Sequence, residues 1–175
     1  NALTNRALAT MYLASGRSAE AEPHLVAVVA ASTSPRPKLG LATFYAMTGK
    51  RADAYRVLDE VTKVPAAAAT ARARIAALKQ GEGKEQEALT LVDEVLAAEP
   101  RHVEAMLTRA RVLLALSRGD EARAQARAAV AVDPNDAAAQ YLLGSLLASH
   151  GELEPAAAAF KEVIRLNPRA APAQV

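Results

Sequence analysis

The chain has 175 residues, a length that fits one domain or two small ones. Its 21 Lys and Arg against 19 Asp and Glu give a net charge of +2, too small for the clustered phosphate contacts of a nucleic-acid-binding surface. The chain has no cysteine, which excludes disulfides, thiolate zinc sites and cysteine nucleophiles, and its 44 alanines favour closely packed helices with little or no sheet.

Apolar runs along the chain are short. The run at residues 25–31 falls far below the roughly 20 residues of a transmembrane helix, so we expect no membrane insertion of this segment. Asn1 is not an initiator methionine and no signal-peptide pattern follows it, which predicts a segment of a longer chain.

A repeat with a period of 34 residues divides the chain into five units, and together they predict one repeat domain over residues 1–175. Pro100, Pro134 and Pro168 are spaced by this period. A column of alanines recurs at steps of 33 or 34, at Ala21, Ala54, Ala88, Ala122 and Ala156. The predicted units are residues 2–34, 35–68, 69–102, 103–136 and 137–170, with residues 171–175 opening a further unit.

Each unit is predicted to be two helices joined by a tight turn. Apolar residues recur at three- and four-residue steps on both sides of Gly151 in the last unit, and Asp136 is placed to cap its first helix. The turns inside the units are expected at Gly16, Gly49, Gly83, Ser117 to Gly119, and Gly151. The turns between units are expected at Pro35, Pro65, Pro100, Pro134 and Pro168. Pro23, about five residues into the second helix, is expected to remove a hydrogen bond and to delay or kink that helix.

Small residues follow large ones in the first helix of each unit, at Leu8-Ala9, Leu41-Ala42, Ile75-Ala76, Arg109-Ala110 and Leu143-Gly144. With the alanine column of the second helices, these pairs resemble the motif of tetratricopeptide repeat proteins over essentially the whole chain. The resemblance implies an all-α, right-handed α-solenoid of five helix-turn-helix repeats. Arg109 departs from the motif, and we expect its stem to be buried and its guanidinium to reach the surface or a carboxylate, with Glu87, Glu104 and Asp120 as candidates.

Neither catalysis nor RNA recognition is indicated. His24, His102 and His150 are far apart in the repeat, and a metal site needs two or three convergent ligands. Gly81 and Gly83 lack the lysine and hydroxyl of a phosphate-binding loop. The pentatricopeptide family, which reads RNA, has a unit one residue longer. We therefore predict a protein that is not an enzyme and has no cofactor, no metal and no nucleic-acid partner.

The resemblance implies that the first helices line a concave groove that binds a partner protein or peptide. Carried over by position, one inner row is Arg6, Leu39, Ala73, Leu107 and Tyr141, and the other is Thr10, Thr43, Ala77, Arg111 and Ser145. Leu107, Arg111 and Tyr141 combine an aliphatic, a charged and an aromatic side chain, so we expect them to anchor the partner. The first half of the groove is expected to be a smooth channel.

A second hypothesis is a structural spacer or a self-associating segment of a larger protein. The outer face of the last helix, around Ala157, Phe160 and Ile164, is expected to be partly uncovered, which allows end-to-end contacts between copies. Alanine- and arginine-rich repeats of this kind resemble bacterial arrays in envelope assembly and export. That analogy favours the envelope or periplasm over the cytoplasm, although a chain without thiols suits either compartment.

Overall fold

The computed structural model describes residues 1–168, and within that range the chain forms ten α-helices and no strand. The helices are α1 (Ala2–Ala14), α2 (Ser18–Ala30), α3 (Pro35–Met47), α4 (Arg51–Val61), α5 (Pro65–Gln80), α6 (Glu85–Ala98), α7 (Val103–Ala115), α8 (Gly119–Val132), α9 (Ala137–Ser149) and α10 (Leu153–Leu166). The ten helices correspond to two for each of the five repeats, although α5 begins at Pro65, inside the range predicted for the second unit. The predicted start of a further unit at residues 171–175 lies outside the described residues.

The helices form two compact units, Asn1–Leu78 and a second that begins at Lys79. In the first unit α1 packs against α2, α2 against α3, and α3 against α4. In the second unit each of the helices α6 to α10 packs against the next along the chain, and α7 also contacts α9. The boundary falls in the last turn of α5, so the third predicted repeat contributes one helix to each unit.

Capping side chains and prolines begin several of these helices. The Asp136 carboxylate accepts a hydrogen bond from the Ala139 N–H at 2.9 Å, which confirms the predicted cap of α9. His102 caps α7 through Nδ1, which accepts from the Ala105 N–H at 3.2 Å. Pro35 and Pro65 are the first residues of α3 and α5 rather than residues of the preceding turns, because a proline at the first helical position lacks only an N–H that has no partner inside the helix.

The turns inside the units adopt the left-handed conformation expected of them. Gly16, Gly49, Gly83 and Gly151 have φ angles of 70° to 78°, which a residue without Cβ adopts at little cost. In the fourth unit Ser117 takes that conformation with φ of 60°, and Gly119 becomes the first residue of α8. The predicted turn positions are therefore confirmed in all five units.

The alanine column lies at the contact between the two helices of a pair. Ala21, Ala54, Ala88 and Ala122 are completely inaccessible to solvent and Ala156 nearly so. A methyl group at these positions lets two helices approach closely, and larger side chains beside it complete the core. Those larger, fully buried side chains include Leu58, Val61, Val92, Leu113 and Leu146.

The guanidinium of Arg109 forms hydrogen bonds with side chains of two neighbouring helices in the second unit. Its Nε donates to Asp93 Oδ1 at 2.7 Å and its Nη1 donates to Gln125 Oε1 at 3.1 Å. A carboxylate partner was expected, but the expected candidates Glu87, Glu104 and Asp120 are wrong. The reason is that Asp93 on α6 and Gln125 on α8 are carried to the guanidinium by helices that both pack against α7.

The first helix pair is held partly by a polar aromatic cluster. The Tyr12 and His24 rings stack at a centroid distance of 5.6 Å, and His24 Nδ1 lies 2.9 Å from Asn5 Oδ1. The Arg17 guanidinium covers the Tyr12 ring at 4.7 Å, within the range of a cation–π contact. Helix α2 begins at Ser18 and runs through Pro23 to Ala30, so the expected delay of this helix by the proline is wrong.

Candidate functional site

A cleft of about 900 Å³ opens in the first unit among α1, α2 and α3. Three of the predicted inner residues, Arg6, Thr10 and Thr43, contribute to its lining. Its apolar part is formed by Leu13, Leu25, Val28, Phe44 and Met47. The volume lies toward the upper end of the range of small-ligand pockets, so the cleft has room for several side chains of a partner.

The cleft exists where α3 lacks a side chain. Gly40 lines it, and a Cβ built on Gly40 would meet no atom within 4 Å apart from its own helical backbone and chain neighbours. At the equivalent positions of α7 and α9, two and three periods later, the chain has Thr108 and Leu142, and both are buried. In the second unit α7 and α9 contact each other directly, whereas α1 and α3 face each other across the cleft.

The exposed side chains of the cleft are apolar and positively charged. Met47 is 83% exposed and Leu13 is 43% exposed, both in or near the last turn of a helix. Arg6 and Arg36 are exposed, and among residues 1–168 neither guanidinium has a hydrogen-bond acceptor or a carboxylate partner. The cleft therefore presents two unneutralised positive charges beside apolar surface.

Two lysines of the same unit are paired instead, and the hydrogen bonds perturb the titration of one member of each pair. Lys38 Nζ donates to Glu60 at 2.7 Å, and this hydrogen bond lowers the pKa of Glu60 below its ordinary value. Lys50 Nζ donates to Glu22 at 2.5 Å, which raises the pKa of Lys50. The positive charge that the cleft lining offers to a ligand is therefore that of Arg6 and Arg36.

The remaining predicted inner residues of the first unit are less accessible than expected or lie outside the cleft lining. Leu39 is half-buried, and its carbonyl accepts from Arg74 Nη1 at 2.9 Å, while the same nitrogen donates to Thr43 Oγ1 at 3.1 Å. Ala73 is completely buried, so its predicted place on an open surface is wrong. Ala77 is exposed near the end of α5.

In the second unit the predicted anchor is only partly accessible. Leu107 is 5% exposed, so its predicted role as a groove side chain is wrong, because α7 is surrounded by α6, α8 and α9. Tyr141 is 60% exposed and its ring lies 5.9 Å from that of Phe160. Arg111 is exposed and unpaired within the described residues, and half-buried Ser145 donates to the Tyr141 carbonyl at 2.9 Å.

Sequence reasoning missed Leu13, Arg36, Gly40 and Met47, which fall outside the two predicted rows. The sequence does indicate that Gly40 is unusual, because the equivalent positions of the fourth and fifth units are occupied by Thr108 and Leu142. A glycine in a helical column that elsewhere carries a larger residue indicates a gap in packing.

Replacing glycine by alanine is expected to change the free energy of unfolding in opposite directions in α3 and α9. Gly40→Ala is expected to raise the free energy of unfolding by roughly 0.5–1 kcal/mol, because the new methyl group meets open space and alanine favours helix. Gly144→Ala is expected to lower it by about 1–2 kcal/mol, because its Cβ would lie 2.9 Å from Phe160 Cε1 and 3.1 Å from Phe160 Cδ1. Urea unfolding followed by circular dichroism measures both, and changes of the same sign would contradict the prediction.

Comparison with known proteins identifies the class. Helix pairs with buried alanines and left-handed turn residues define a helical-repeat solenoid, and a family model described as tetratricopeptide repeat matches residues 75–122 and 107–171. These matches cover more than half of the chain. The chain therefore belongs to the tetratricopeptide repeat family, whose members serve as protein-interaction modules and are generally not enzymes.

Solved structures agree on the fold. The chain is similar to TTC0263, a thermophilic tetratricopeptide repeat protein of Thermus thermophilus, with a TM-score of 0.76 and 18% identity over 97% of this chain and 93% of that one. It is also similar to MamA, residues 41 to the end, of Desulfovibrio magneticus RS-1, with a TM-score of 0.57 and 22% identity over 97% of each chain. No curated protein matched. Within residues 1–168, none of the helices combines the length and apolar character that crossing a bilayer requires.

Proposed function

We propose that this chain is a non-enzymatic module that binds a peptide segment of a partner protein on the surface of its first helices. The cleft among α1, α2 and α3 is its main site. The observation that carries the proposal is the combination, in one cleft, of exposed apolar side chains with two unpaired guanidinium groups. Three positions that the family resemblance assigns to the binding surface, Arg6, Thr10 and Thr43, also line it.

The chemistry of the lining supports protein binding. Leu13 and Met47 expose apolar area whose burial against a partner contributes about 25 cal/mol per Å². Methionine adapts its shape to different partners, and arginine is enriched among the residues that dominate binding energies. Thr10 and Thr43 use their hydroxyls within their own helices, donating to the carbonyls of Arg6 at 2.9 Å and Leu39 at 3.1 Å.

Photo-crosslinking tests the site. A benzoylphenylalanine at Thr10 is expected to crosslink a discrete protein in a lysate of the source cells, and the same group at exposed Ala52 of α4 is not. Charged substitutions Leu13→Glu and Met47→Glu, made together, are expected to abolish the crosslink while the helical circular-dichroism signal remains, because both side chains are exposed. No crosslink from Thr10, together with a crosslink from the same group placed at Tyr141, would move the site to the second unit.

The alternative is a spacer or self-associating segment, and one observation favours it. On α10, Leu153 and Ile164 are largely exposed and Ala157 is exposed, whereas Phe160 is half-buried. Sedimentation across a concentration series measures association through this face. Concentration-dependent dimers that Ile164→Glu abolishes, together with no crosslink from Thr10, would favour the alternative.

A further inference from the structure

One face of α1 is exposed, although the same face of a later first helix is buried. Aligned through the small residue that each first helix carries, Ala7 and Met11 of α1 correspond to Leu142 and Leu146 of α9. Leu142 and Leu146 are buried, whereas Ala7 is exposed and Met11 is 49% exposed. Both helices pack against the second helix of their own repeat, but α9 also packs against α8 of the preceding repeat, and within residues 1–168 no repeat precedes α1. This face of a first helix is therefore the one that a preceding second helix covers.

The outer face of α10 shows the complementary difference. Aligned through the alanine column, Phe160 and Ile164 of α10 correspond to Val92 and Leu96 of α6. Val92 is completely buried and Leu96 is half-buried, whereas Phe160 is half-buried and Ile164 is 54% exposed. Helix α6 packs against α7, the first helix of the next repeat, and no first helix follows α10 within residues 1–168. This face of a second helix is therefore the one that a following first helix covers.

The two faces fit each other because each carries the residues that bind the other kind of helix elsewhere in the chain. Both present apolar side chains, Ala7 and Met11 on α1, and Ala157, Phe160 and Ile164 on α10. Removal of such surface from water drives association. In a solenoid each repeat is stabilised by its neighbours, so a first helix supplied by another molecule can take the place of a following repeat on α10.

Ion pairs show which other side chains meet at the contact between successive repeats. Two such pairs join equivalent positions, Glu22 with Lys50 at 2.5 Å and Arg123 with Glu152 at 2.8 Å. In both pairs one residue follows an alanine of the column, and the other follows the turn glycine of the next repeat. On the two outer faces these positions are occupied by Ala157 and Arg17.

We infer that α10 of one copy of this chain packs on α1 of a second copy, in the register that joins successive repeats within the chain. Ala157 of one copy then lies beside Arg17 of the other. Because the two surfaces differ, each added copy leaves one α1 face and one α10 face open, and association can continue beyond a dimer. The inference goes beyond the proposed function, since Met11, Phe160 and Ile164 do not line the cleft.

Sedimentation velocity of the 175-residue chain across a concentration series tests the contact. We expect the average sedimentation coefficient of the unaltered chain to rise with concentration. Met11→Glu and Ile164→Glu are each expected to abolish that rise, because each places a carboxylate in one of the two faces. Both side chains are exposed, so the helical circular-dichroism signal is expected to remain. The control Met47→Glu changes an exposed methionine of the cleft lining and is expected to leave the association unchanged.

Mixing the two variants identifies the two faces as partners. Met11→Glu keeps an intact α10 face, and Ile164→Glu keeps an intact α1 face. An equimolar mixture is therefore expected to associate again and to stop at a dimer, since the faces left open in that dimer are the altered ones. Contacts between two α1 faces or between two α10 faces would not be restored by mixing.

A pair of substitutions at Ala157 tests the register. Because Ala157 is exposed on α10, Ala157→Glu and Ala157→Lys place opposite charges at one accessible position. Beside Arg17 of the second copy, the glutamate variant is expected to associate roughly two- to fivefold more tightly than the lysine variant in 50 mM salt. The difference is expected to shrink in 500 mM salt, because salt screens exposed charges.

Four results would overturn the inference. They are a monomer at every concentration, no association in the mixture of variants, loss of association in Met47→Glu, and association of the lysine variant at Ala157 that equals or exceeds that of the glutamate variant. The Thr10 crosslink does not depend on these faces. Its loss would remove the proposed function and leave this inference standing.

Discussion

Replacing Leu113 by alanine is expected to lower the free energy of unfolding by about 2–5 kcal/mol. Leu113 is 0% exposed on α7, the helix that α6, α8 and α9 all contact. The substitution removes buried methyl and methylene groups and leaves a cavity, because three surrounding helices cannot all move inward. The loss is measured as a shift of the urea midpoint at constant slope, followed by the helical circular-dichroism signal.

The next residue in the chain supplies a matched control for this measurement. Leu114 lies on the same helix but is 45% exposed, so Leu114→Ala changes the same chemical groups in a partly solvated place. We expect it to cost about 1 kcal/mol or less. If both variants lose the same stability, helix propensity rather than core packing explains the effect, and the assigned face of α7 is incorrect.

Enlarging Ala122 to leucine is expected to destabilise the second unit by roughly 1–3 kcal/mol or more. Ala122 is completely buried where α7 and α8 pack together, and its methyl group sets how closely the two helices approach. A leucine there forces the helices apart or into strained rotamers. For a unit of this size, 1 kcal/mol lowers the melting temperature by roughly 4–8 °C, so thermal unfolding resolves the effect.

Ala124 is the control for the enlargement. It lies two residues further along α8 and is exposed, so Ala124→Leu adds the same groups where they meet solvent. The melting temperature of this variant is expected to change little. An unchanged melting temperature for Ala122→Leu would show that α7 and α8 can separate without loss of stability.

Most of the helix arrangement could be predicted because it depends on local sequence. A left-handed turn residue ends the first helix of each unit, and these positions recur with the repeat from Gly16 to Gly151. The buried alanines also recur, because a small side chain is the condition for close approach of the two helices. Even the irregular fourth unit follows, since Ser117 takes the turn conformation when the glycine is displaced to Gly119.

The candidate site was predicted less well, because the accessibility of a side chain depends on how closely neighbouring helices approach. Leu107 and Tyr141 occupy the same repeat position, yet Leu107 is buried and Tyr141 is exposed. The periodicity states which face of its own helix each residue lies on and does not state what covers that face. Leu107 is on a helix enclosed by three others, and Arg109 on the same helix finds its carboxylate at Asp93 for the same reason.

By itself the amino-acid sequence determined the number of helices, their pairing, the turns and the alanine contacts, since each of these follows from backbone preference or from side-chain size within one repeat. Only the tertiary structure decided where a partner has room to bind. A cleft lies between α1 and α3 beside Gly40, whereas α7 and α9 are in contact. Packing between successive repeats depends on side chains from three helices at once, and no single repeat contains that information.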